Sequence, residues 1–325
     1  MNKVVVLGGG TGLSTLLRGL KLFPIDISAV VSVCDDGKST GRLREEFNTF
    51  AVGDLRRVIA ALSETEPLFE KLLNYRFHTT SDLNGHTVGN LLLTALGDIS
   101  GNMQEGIETI GKVLKLKGKV LPFTLENPIL IGKMQDGSTV IGEHNITESN
   151  KKIDYVYYEK DVKVNPTVIK AIKSADLIIL SMGSLYTSIV PDLLNKELID
   201  TIDNSKAKIM YVCNMMTQPG ETDDFTVSDH IKVLNSYLGT RKIDVVIANS
   251  GNIPQDILIK YANEEQKDKV ILDRKNLHNI KIIANNYVTL EDSTIRHKVD
   301  KLSLDIYGYI LSQNDKNTSH YKFFK

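Results

Sequence analysis

The chain opens with KVVVLGGGTGLSTLLRGL, residues 3–20, and this stretch decides the fold. Residues 3–7 form a continuous apolar run, which is typical of a strand that is buried on both faces. A glycine turn follows, and leucines then recur at the spacing of one helix face. Residues 27–33 form a second β-branched run. Strand, turn, helix and strand in this order predict a βαβ unit, and therefore a parallel sheet covered by helices.

The alternation of strands and helices returns after residue 166. Short apolar runs separated by helical patterns predict four more strands, at Leu177–Leu180, Lys208–Cys213, Asp244–Ala248 and Lys281–Ala284. A helix with one apolar face, from about residue 299, closes the domain. We therefore predict an α/β, Rossmann-like fold, with a mostly parallel sheet of about six strands and helices on both faces.

Residues 54–160 interrupt this alternation. Apolar residues at helical spacing predict helices from residue 54, over residues 89–96 and over residues 107–116. Four strand-like segments follow, VLPFTLE, PILIGKM, STVIGEHNI and IDYVYYE, and Asp136–Gly137 is a strong turn signal. We predict a helical insert and then a small antiparallel hairpin region, both within a single domain that spans residues 1–312. Residues 313–325 are predicted to be a polar C-terminal tail.

The charges of the 325 residues almost balance, with 39 Lys and Arg against 40 Asp and Glu. No field of one sign attracts nucleic acid or an anionic membrane, which excludes a general nucleic-acid binder. No apolar run reaches the roughly 18 residues of a membrane span, and the opening is too short for a secretory signal, so we expect a cytoplasmic protein. Cys34 and Cys213 lie far apart without a CxxC pattern. We expect both to be small buried side chains rather than parts of a disulfide or zinc site.

The glycine turn after the first strand is a candidate phosphate site. It departs from the dinucleotide fingerprint GxGxxG, because the third glycine would fall at Leu13. Glycines nevertheless let the backbone approach a phosphate, and the following helix directs free N–H groups and the positive end of its dipole at it. The alternative is a tight turn that only packs the strand on the helix. The candidate ligand-binding residues here are Gly8, Gly9, Gly10, Thr11 and Gly12.

The second strand ends in CDDGKSTGRLR, residues 34–44. Asp35 and Asp36 stand where a nucleotide-binding fold holds a ribose hydroxyl, and paired carboxylates also suit Mg²⁺. They are the candidate metal ligands, although Asp–Gly is also an ordinary turn signal. Lys38, Arg42 and Arg44 are near enough in sequence to neutralise a diphosphate. Solvated surface charge is the alternative for each of the three.

Polar or glycine-rich loops also follow three of the later strands. Because the carboxyl ends of parallel strands meet at one edge of a sheet, we expect these loops to converge with the first two on a single ligand cleft. Ordinary polar loop composition is the alternative. The candidate ligand-binding residues in these loops are Gly183, Ser184, Tyr186, Thr187, Asn214 and Asn249.

Several longer motifs identify a resemblance. The chain resembles the YvcK-type gluconeogenesis factors, a bacterial family related to 2-phospho-L-lactate transferase. The resemblance extends from residue 3 to about residue 312. It rests on GGGTGLSTLLRGLK, DDGKSTGRLR, GDLRRVIAALS, GHTVGNLLLTAL, GSLYTSIVPDLL, CNMMTQPGETDDFTVSDH and IRHK.

This resemblance implies a cytoplasmic, Rossmann-like protein that binds UDP-N-acetylglucosamine and is needed for gluconeogenic growth and cell shape. The positions that match the family's ligand contacts are Thr11, Tyr261 and Arg296. Tyr261 would stack on uracil or bond a sugar hydroxyl, and Arg296 would pair with the diphosphate. Arg296 is expected near the start of the closing helix, where the dipole disfavours a cation unless an anion is bound.

Three classes of function follow from these observations. The first is a nucleotide-sugar-binding regulatory factor, with protein partners in cell-wall synthesis and with a homo-oligomer as a further possibility. The second is a Mg²⁺-dependent phosphoryl-type transferase related to 2-phospho-L-lactate transferase. The third, an NAD-dependent oxidoreductase, rests on the glycine turn alone and ranks last. Whether the protein catalyses a reaction stays open at this point.

Overall fold

The structure of the protein is a computed structural model. It describes the backbone of residues 1–64, 67–291 and 294–318, and the side chains of these residues except Lys38 and residues 314–318. Part of the predicted tail is helical, because the closing helix extends to Thr318, whereas residues 319–325 lie outside the described part.

Seven parallel strands form the central sheet. They are β1 (Lys3–Gly8), β2 (Asp26–Val31), β3 (Lys119–Pro122), β7 (Leu177–Leu180), β8 (Lys208–Val212), β9 (Val245–Asn249) and β10 (Lys281–Asn285). Their order across the sheet is β10-β9-β8-β7-β1-β2-β3, and every neighbouring pair is parallel. This order reverses between β1 and β7, as in the doubly wound dinucleotide folds. The predicted α/β, Rossmann-like class is confirmed.

The strand count differs from the prediction at β3. The segment VLPFTLE was expected in the antiparallel hairpin region, but its first half pairs in parallel with β2, where Ala29 aligns with Val120. The physical reason is burial on both faces. Val120 packs into the hydrophobic core on one side of the sheet, and Leu121 packs into the core on the other. The sheet therefore has seven strands instead of six.

The other three strand-like segments form the predicted small antiparallel sheet. Its strands are β4 (Leu130–Met134), β5 (Thr139–Ile141) and β6 (Ile153–Tyr158), in the order β5-β4-β6. A short helix, α7 (Glu143–Glu148), follows β5. This unit packs through Ile146 and Val156 against the core under β1 and β7.

Helices cover both faces of the parallel sheet. One core packs α1, α3, α5, α6 and α13 on the sheet, and the other packs α8, α10 and α11. No helix of the described residues is long and apolar enough to cross a bilayer. The helices are α1 (Gly10–Leu20), α2 (Lys38–Phe47), α3 (Gly53–Leu62), α4 (Pro67–Asn74), α5 (Val88–Ile99), α6 (Met103–Val113), α8 (Pro166–Lys173), α9 (Val190–Leu193), α10 (Lys196–Asp203), α11 (Val227–Tyr237), α12 (Gln255–Glu265) and α13 (Val299–Thr318).

A second small antiparallel unit precedes α13. Strands β11 (Val288–Glu291) and β12 (Thr294–His297) form a hairpin that the sequence analysis did not predict. Arg296 lies on β12, and α13 begins only at Val299. The expectation that Arg296 opens the closing helix is therefore wrong. Arg296 pairs with Thr289 on β11 and is not part of the first turn of α13, so the argument from the helix dipole does not apply to it.

Candidate functional site

A cleft of about 530 Å³ opens at the carboxyl ends of β1, β7 and β8. The first two of these strands flank the point where the strand order reverses, which is where open α/β sheets bind ligands. The far wall of the cleft is formed by residues on α12 and β12. Nine of the sequence-predicted residues line the cleft: Gly9, Gly10, Thr11, Gly12, Gly183, Ser184, Asn214, Tyr261 and Arg296.

The glycine turn and the start of α1 form the floor of this cleft. Gly10 has φ +64°, a conformation that favours glycine. A side chain at Gly12 would collide with the carbonyl oxygen of Met182, so glycine lets α1 pack directly against the loop after β7. Helix starts leave N–H groups without intrahelical acceptors, and those of Thr11 and Gly12 have no acceptor among the described residues. The cleft therefore presents two free amides at the positive end of a helix dipole.

The N–H of Gly10, beside these two amides, is already bound by Asp54. Asp54 Oδ2 accepts the N–H of Gly10 at 2.5 Å, and its Oδ1 accepts a hydrogen bond from Arg57 at 3.0 Å. Burial raises the pKa of Asp54 above its ordinary value, while Arg57 opposes this change. A carboxylate thus stands directly behind the candidate phosphate site. Any anion on the free amides of Thr11 and Gly12 would be bound close to this negative charge.

The far wall carries the cations and the aromatic ring. The Tyr261 hydroxyl accepts the N–H of Ile295 at 2.9 Å, so it retains its own proton for donation. Lys267 pairs with Glu265 at 2.7 Å. Burial lowers the pKa of His297 to about 4, which keeps this imidazole neutral at pH 7. Arg296 is exposed and forms no ion pair within the described part of the chain.

Two loops of the cleft are held in shape by side chains that the sequence analysis assigned to the ligand. Asn214 donates to the carbonyl of Gly183 at 2.6 Å and accepts the Gly183 N–H at 3.1 Å. The Ser184 hydroxyl lies 2.8 and 2.6 Å from the two carboxylate oxygens of Glu221, which is buried. Asn214 and Ser184 therefore line the cleft while they fix the loops after β7 and β8.

The loop after β2 does not reach this cleft, and the prediction that five loops meet in one cleft is wrong. Asp35 instead lines an adjacent cavity of about 220 Å³, together with Arg56, Arg57 and Arg76. Arg44 is buried and donates to the carbonyls of residues 34, 35 and 128, so it anchors this loop rather than facing a diphosphate. The reason is that β2 lies beyond β1, on the side away from β7.

The two candidate metal ligands point in different directions. Asp35 Oδ1 accepts the Gly37 N–H at 2.9 Å, and its other oxygen lies near Gly53 at the 220 Å³ cavity. Asp36 Oδ1 accepts the N–H of His144 at 2.8 Å at the start of α7. The pair does not fit one Mg²⁺ ion, and only Asp35 keeps an oxygen directed at a cavity. Among the described residues, no three His, Cys, Asp or Glu side chains form a metal-binding group.

A further carboxyl group completes this region. Burial, followed by the negative charge of Asp35, raises the pKa of Glu143 to about 8. Asp54 and Asp36 raise it further, whereas a hydrogen bond with Thr187 lowers it. Glu143 is therefore largely protonated at pH 7. The carboxyl groups of Asp35, Asp36 and Asp54 thus lie close enough to Glu143 to interact with it, between the cleft and the smaller cavity.

The remaining sequence-predicted residues lie outside the cleft. Gly8 ends β1, and the closeness of Ser181 leaves no room there for a side chain. The Asn249 side chain accepts the N–H groups of Gly251 and Tyr287 and closes a turn. Three further candidates are Arg42, which is exposed and donates to the carbonyl of residue 84, and Tyr186 and Thr187, which are buried under the loop after β7. Lys38 begins α2, and its side chain lies outside the described part.

Sequence reasoning missed the residues that enter the site from distant elements. Asp54, Arg56 and Arg57 come from GDLRRVIAALS and lie at the start of α3. Gly53, before this acid, was a usable signal, because glycine permits close approach of other groups, here of Thr40 and Asp35. Glu143 carries no local signal. Its importance depends on burial by the antiparallel unit. The predicted fate of Cys34 and Cys213 is confirmed, since both are free and buried.

A parallel sheet of this order, with a cleft at its switch point, defines the class as a Rossmann-like α/β protein. Residues 4–288 match the family model described as 2-phospho-L-lactate transferase CofD, and the chain belongs to this family. The chain is 44% identical over 303 residues to a gluconeogenesis factor of Halalkalibacterium halodurans, covering 92% of this chain and 94% of the relative.

Another relative and a solved structure show the same similarity. The chain is 43% identical over 304 residues to the gluconeogenesis factor of Bacillus subtilis, covering 93% of this chain and 96% of that one. A crystal structure of a Bacillus halodurans protein superposes with a TM-score of 0.91 at 43% identity, covering 94% of this chain and 99% of that chain. The expected resemblance to the gluconeogenesis factors, and their relation to 2-phospho-L-lactate transferase, are confirmed.

Proposed function

We propose that the protein is a cytoplasmic nucleotide-sugar-binding factor. Its ligand is UDP-N-acetylglucosamine, and it is needed for gluconeogenic growth and for cell-shape and cell-wall homeostasis. The carrying observation is the cleft at the sheet's switch point. It is lined by Thr11 and Gly12, whose amides have no acceptor among the described residues, and by Arg296, which forms no ion pair within that part of the chain. In this proposal the ligand-bound state acts on protein partners in cell-wall synthesis.

The chemistry of the cleft supports a diphosphate between these two walls. Two amides at a helix start and one guanidinium are donors that suit phosphate oxygens. A volume of about 530 Å³ falls in the range of small-molecule sites. Tyr261 contributes a ring and a donatable proton to the uracil or sugar. His297 adds no charge, so Arg296 is the cation that would neutralise the diphosphate.

Isothermal titration calorimetry with UDP-N-acetylglucosamine tests this proposal. Thr11→Ala removes a hydroxyl that has no acceptor or donor partner among the described residues, and we expect binding to weaken by about 0.5 to 1.5 kcal/mol. The matched control is Thr79→Ala, an exposed threonine far along the chain in the helical insert. Absence of heat with the wild-type protein, or equal affinity in Thr11→Ala, would count against the assignment.

A second candidate is a Mg²⁺-dependent phosphoryl-type transferase. It is favoured by the family match and by the carboxyl groups of Asp35, Asp54 and Glu143 beside the glycine turn. Asp35 lines the 220 Å³ cavity and has one oxygen without a hydrogen bond to the described residues, and one carboxylate with substrate phosphates is a sufficient protein contribution for Mg²⁺. Incubation with UDP-N-acetylglucosamine, Mg²⁺ and candidate acceptors separates the two functions. Release of UDP or UMP in excess over protein would favour the transferase, and its absence at saturating ligand favours the binding factor.

A further inference from the structure

The cavity of about 220 Å³ beside the loop after β2 is a second concave site, and none of its lining residues lines the cleft. Its walls come from the starts of α2, α3 and α5, from α7 and from the chain between α4 and α5. Three arginines, Arg56, Arg57 and Arg76, line it together with one carboxylate, Asp35. Positive charge is therefore in excess on these walls.

Arg56 is a buried cation without a counter-ion. It is 5% exposed and forms no ion pair with any residue that the structure describes. Its Nε donates to Asn90 Oδ1 at 3.0 Å, and its Nη1 donates to Asn74 Oδ1, so both partners are neutral amides. Buried charges are normally paired, because removal from water is costly without an opposite charge. Arg56 thus has the environment of a cation whose partner is a bound anion.

The other two arginines differ in how far their charge is offset. Arg57 donates to Asp54 Oδ1 at 3.0 Å, and this ion pair offsets the charge of Arg57. Arg76 is exposed and donates to the carbonyl of Gly85, and it has no ion pair in the described part of the chain. Arg56 and Arg76 are therefore the two cations that keep their charge for a ligand.

The nearby carboxylates do not cancel the positive field at Arg56. Burial, followed by the charges of Arg57 and Arg76, lowers the pKa of Arg56 to about 10. The negative charges of Asp54 and Asp35 oppose this change with smaller effects. Because the field of the neighbouring charges is positive at this guanidinium, an anion is the ligand that it favours.

A chain of buried side chains fixes the orientation of Arg56. Asn90 accepts from Arg56 and donates through Nδ2 to Ser39 Oγ at 3.3 Å, and Ser39 Oγ lies 3.0 Å from His86 Nδ1. All four side chains are buried. A guanidinium held in this way is a planar fork that suits two oxygens of a phosphate or carboxylate. The ligand is small, since about 220 Å³ lies below the roughly 300 to 1,000 Å³ of most small-molecule sites.

We propose that this cavity binds a small oxyanion, the phosphate or carboxylate group of a metabolite, between Arg56 and Arg76. Arg56 supplies the fixed donor, and Arg76 supplies the second cation from the exposed side of the site. The site is separate from the cleft, requires no metal ion and does not depend on the ligand proposed for the cleft.

Isothermal titration calorimetry of the full chain with inorganic phosphate, and with malonate in a parallel series, tests the proposal at constant ionic strength. Arg76→Gln removes one cation, and we expect affinity to fall about tenfold or more. Arg76→Lys keeps the charge without the planar fork and should lose less. The control Arg274→Gln makes the same change of net charge at an exposed arginine outside both sites and should bind as the wild type does.

Arg296→Ala separates this site from the cleft, because it removes the cation of the cleft and should leave phosphate binding unchanged. The tighter of the two probes identifies the group that the site prefers, phosphate or carboxylate. A wild-type protein that binds phosphate but not UDP-N-acetylglucosamine would support this site and contradict the function proposed for the cleft. Melting curves of the variants, expected to match the wild type, show that each one is folded.

Four results would overturn the proposal. The first is no binding of either probe to the wild type. The second is unchanged affinity in Arg76→Gln with a fall in Arg296→Ala, which would assign the anion to the cleft. The third is an equal fall in Arg274→Gln, which would indicate non-specific attraction by surface charge. The fourth is binding only in the presence of Mg²⁺, which would assign the anion to a metal ion at Asp35.

Discussion

Replacement of Asp54 by Asn tests the electrostatics of the candidate phosphate site. Asp54 Oδ2 accepts the Gly10 N–H at 2.5 Å, and the neighbouring amides of Thr11 and Gly12 are free. We take the separation between a phosphate on those amides and the carboxylate as about 6 Å for a Coulomb calculation. At an effective dielectric constant near 20, two unit charges at that distance repel by about 3 kcal/mol. Arg57 donates to the same carboxylate and reduces this repulsion, so we expect Asp54→Asn to tighten UDP-N-acetylglucosamine binding by about 1 to 2 kcal/mol.

The same change should also stabilise the empty protein. The raised pKa of Asp54 is the balance of burial, the Gly10 hydrogen bond and Arg57, and it shows that the charged form is disfavoured in the folded state. Stability from such a group is fully present below its unfolded pKa and is lost as pH rises through its folded pKa. Asn keeps an acceptor for Gly10 without the charge. The melting temperature at pH 7 should therefore rise in Asp54→Asn.

Calorimetry with and without Mg²⁺, together with thermal unfolding, measures both effects. The matched variant Asp54→Ala removes the acceptor of the part-buried Gly10 N–H and should lower stability by about 1 to 3 kcal/mol. Weaker binding of Asp54→Asn without Mg²⁺ would refute the reasoning, because it would mean that the carboxylate contacts the ligand directly. Weaker binding only when Mg²⁺ is present would mean that a metal bridges Asp54 and phosphate.

Three further outcomes are expected. Arg296→Ala should remove most of the ligand-induced rise in melting temperature, since a charged hydrogen bond contributes about 1.5 to 3 kcal/mol. The control Arg274→Ala should keep this rise. An equal rise in both variants would mean that Arg296 does not bind the ligand. In the wild type, the raised pKa of Glu143 should make the free energy of unfolding fall between about pH 5 and 8, by at most about 1.4 kcal/mol per pH unit. Glu143→Gln should reduce this fall. Urea titrations that show the same pH dependence in both proteins would contradict the raised pKa. Arg44→Lys should lose about 2 to 4 kcal/mol of stability through broken buried hydrogen bonds, and Arg42→Lys far less; similar losses would contradict the anchoring role.

The prediction of the fold succeeded where local pattern and layer rules agree. The βαβ unit was predicted correctly from the apolar run at residues 3–7, the glycine turn and the leucines after it. Strand β7 was predicted with its observed bounds. Strand β3 was misassigned because a short apolar segment fits a buried parallel edge and a hairpin equally well. The β11–β12 hairpin was missed for a similar reason, since its strands are short and only partly buried.

The sequence by itself determined that residues 3–33 form a βαβ unit and that the loops after β7 and β8 meet the glycine turn at Gly9 to Gly12. These conclusions need only periodicity, turn chemistry and the direction of parallel strands. Tertiary structure alone decided that the loop after β2 faces a second cavity and that Asp36 accepts the N–H of His144 in α7. It also decided that Asp54 occupies the Gly10 amide. The physical reason is that hydrogen bonds and pKa values depend on neighbours distant in sequence, such as Asp54 and Gly10, 44 residues apart. No local pattern records how burial brings such groups together.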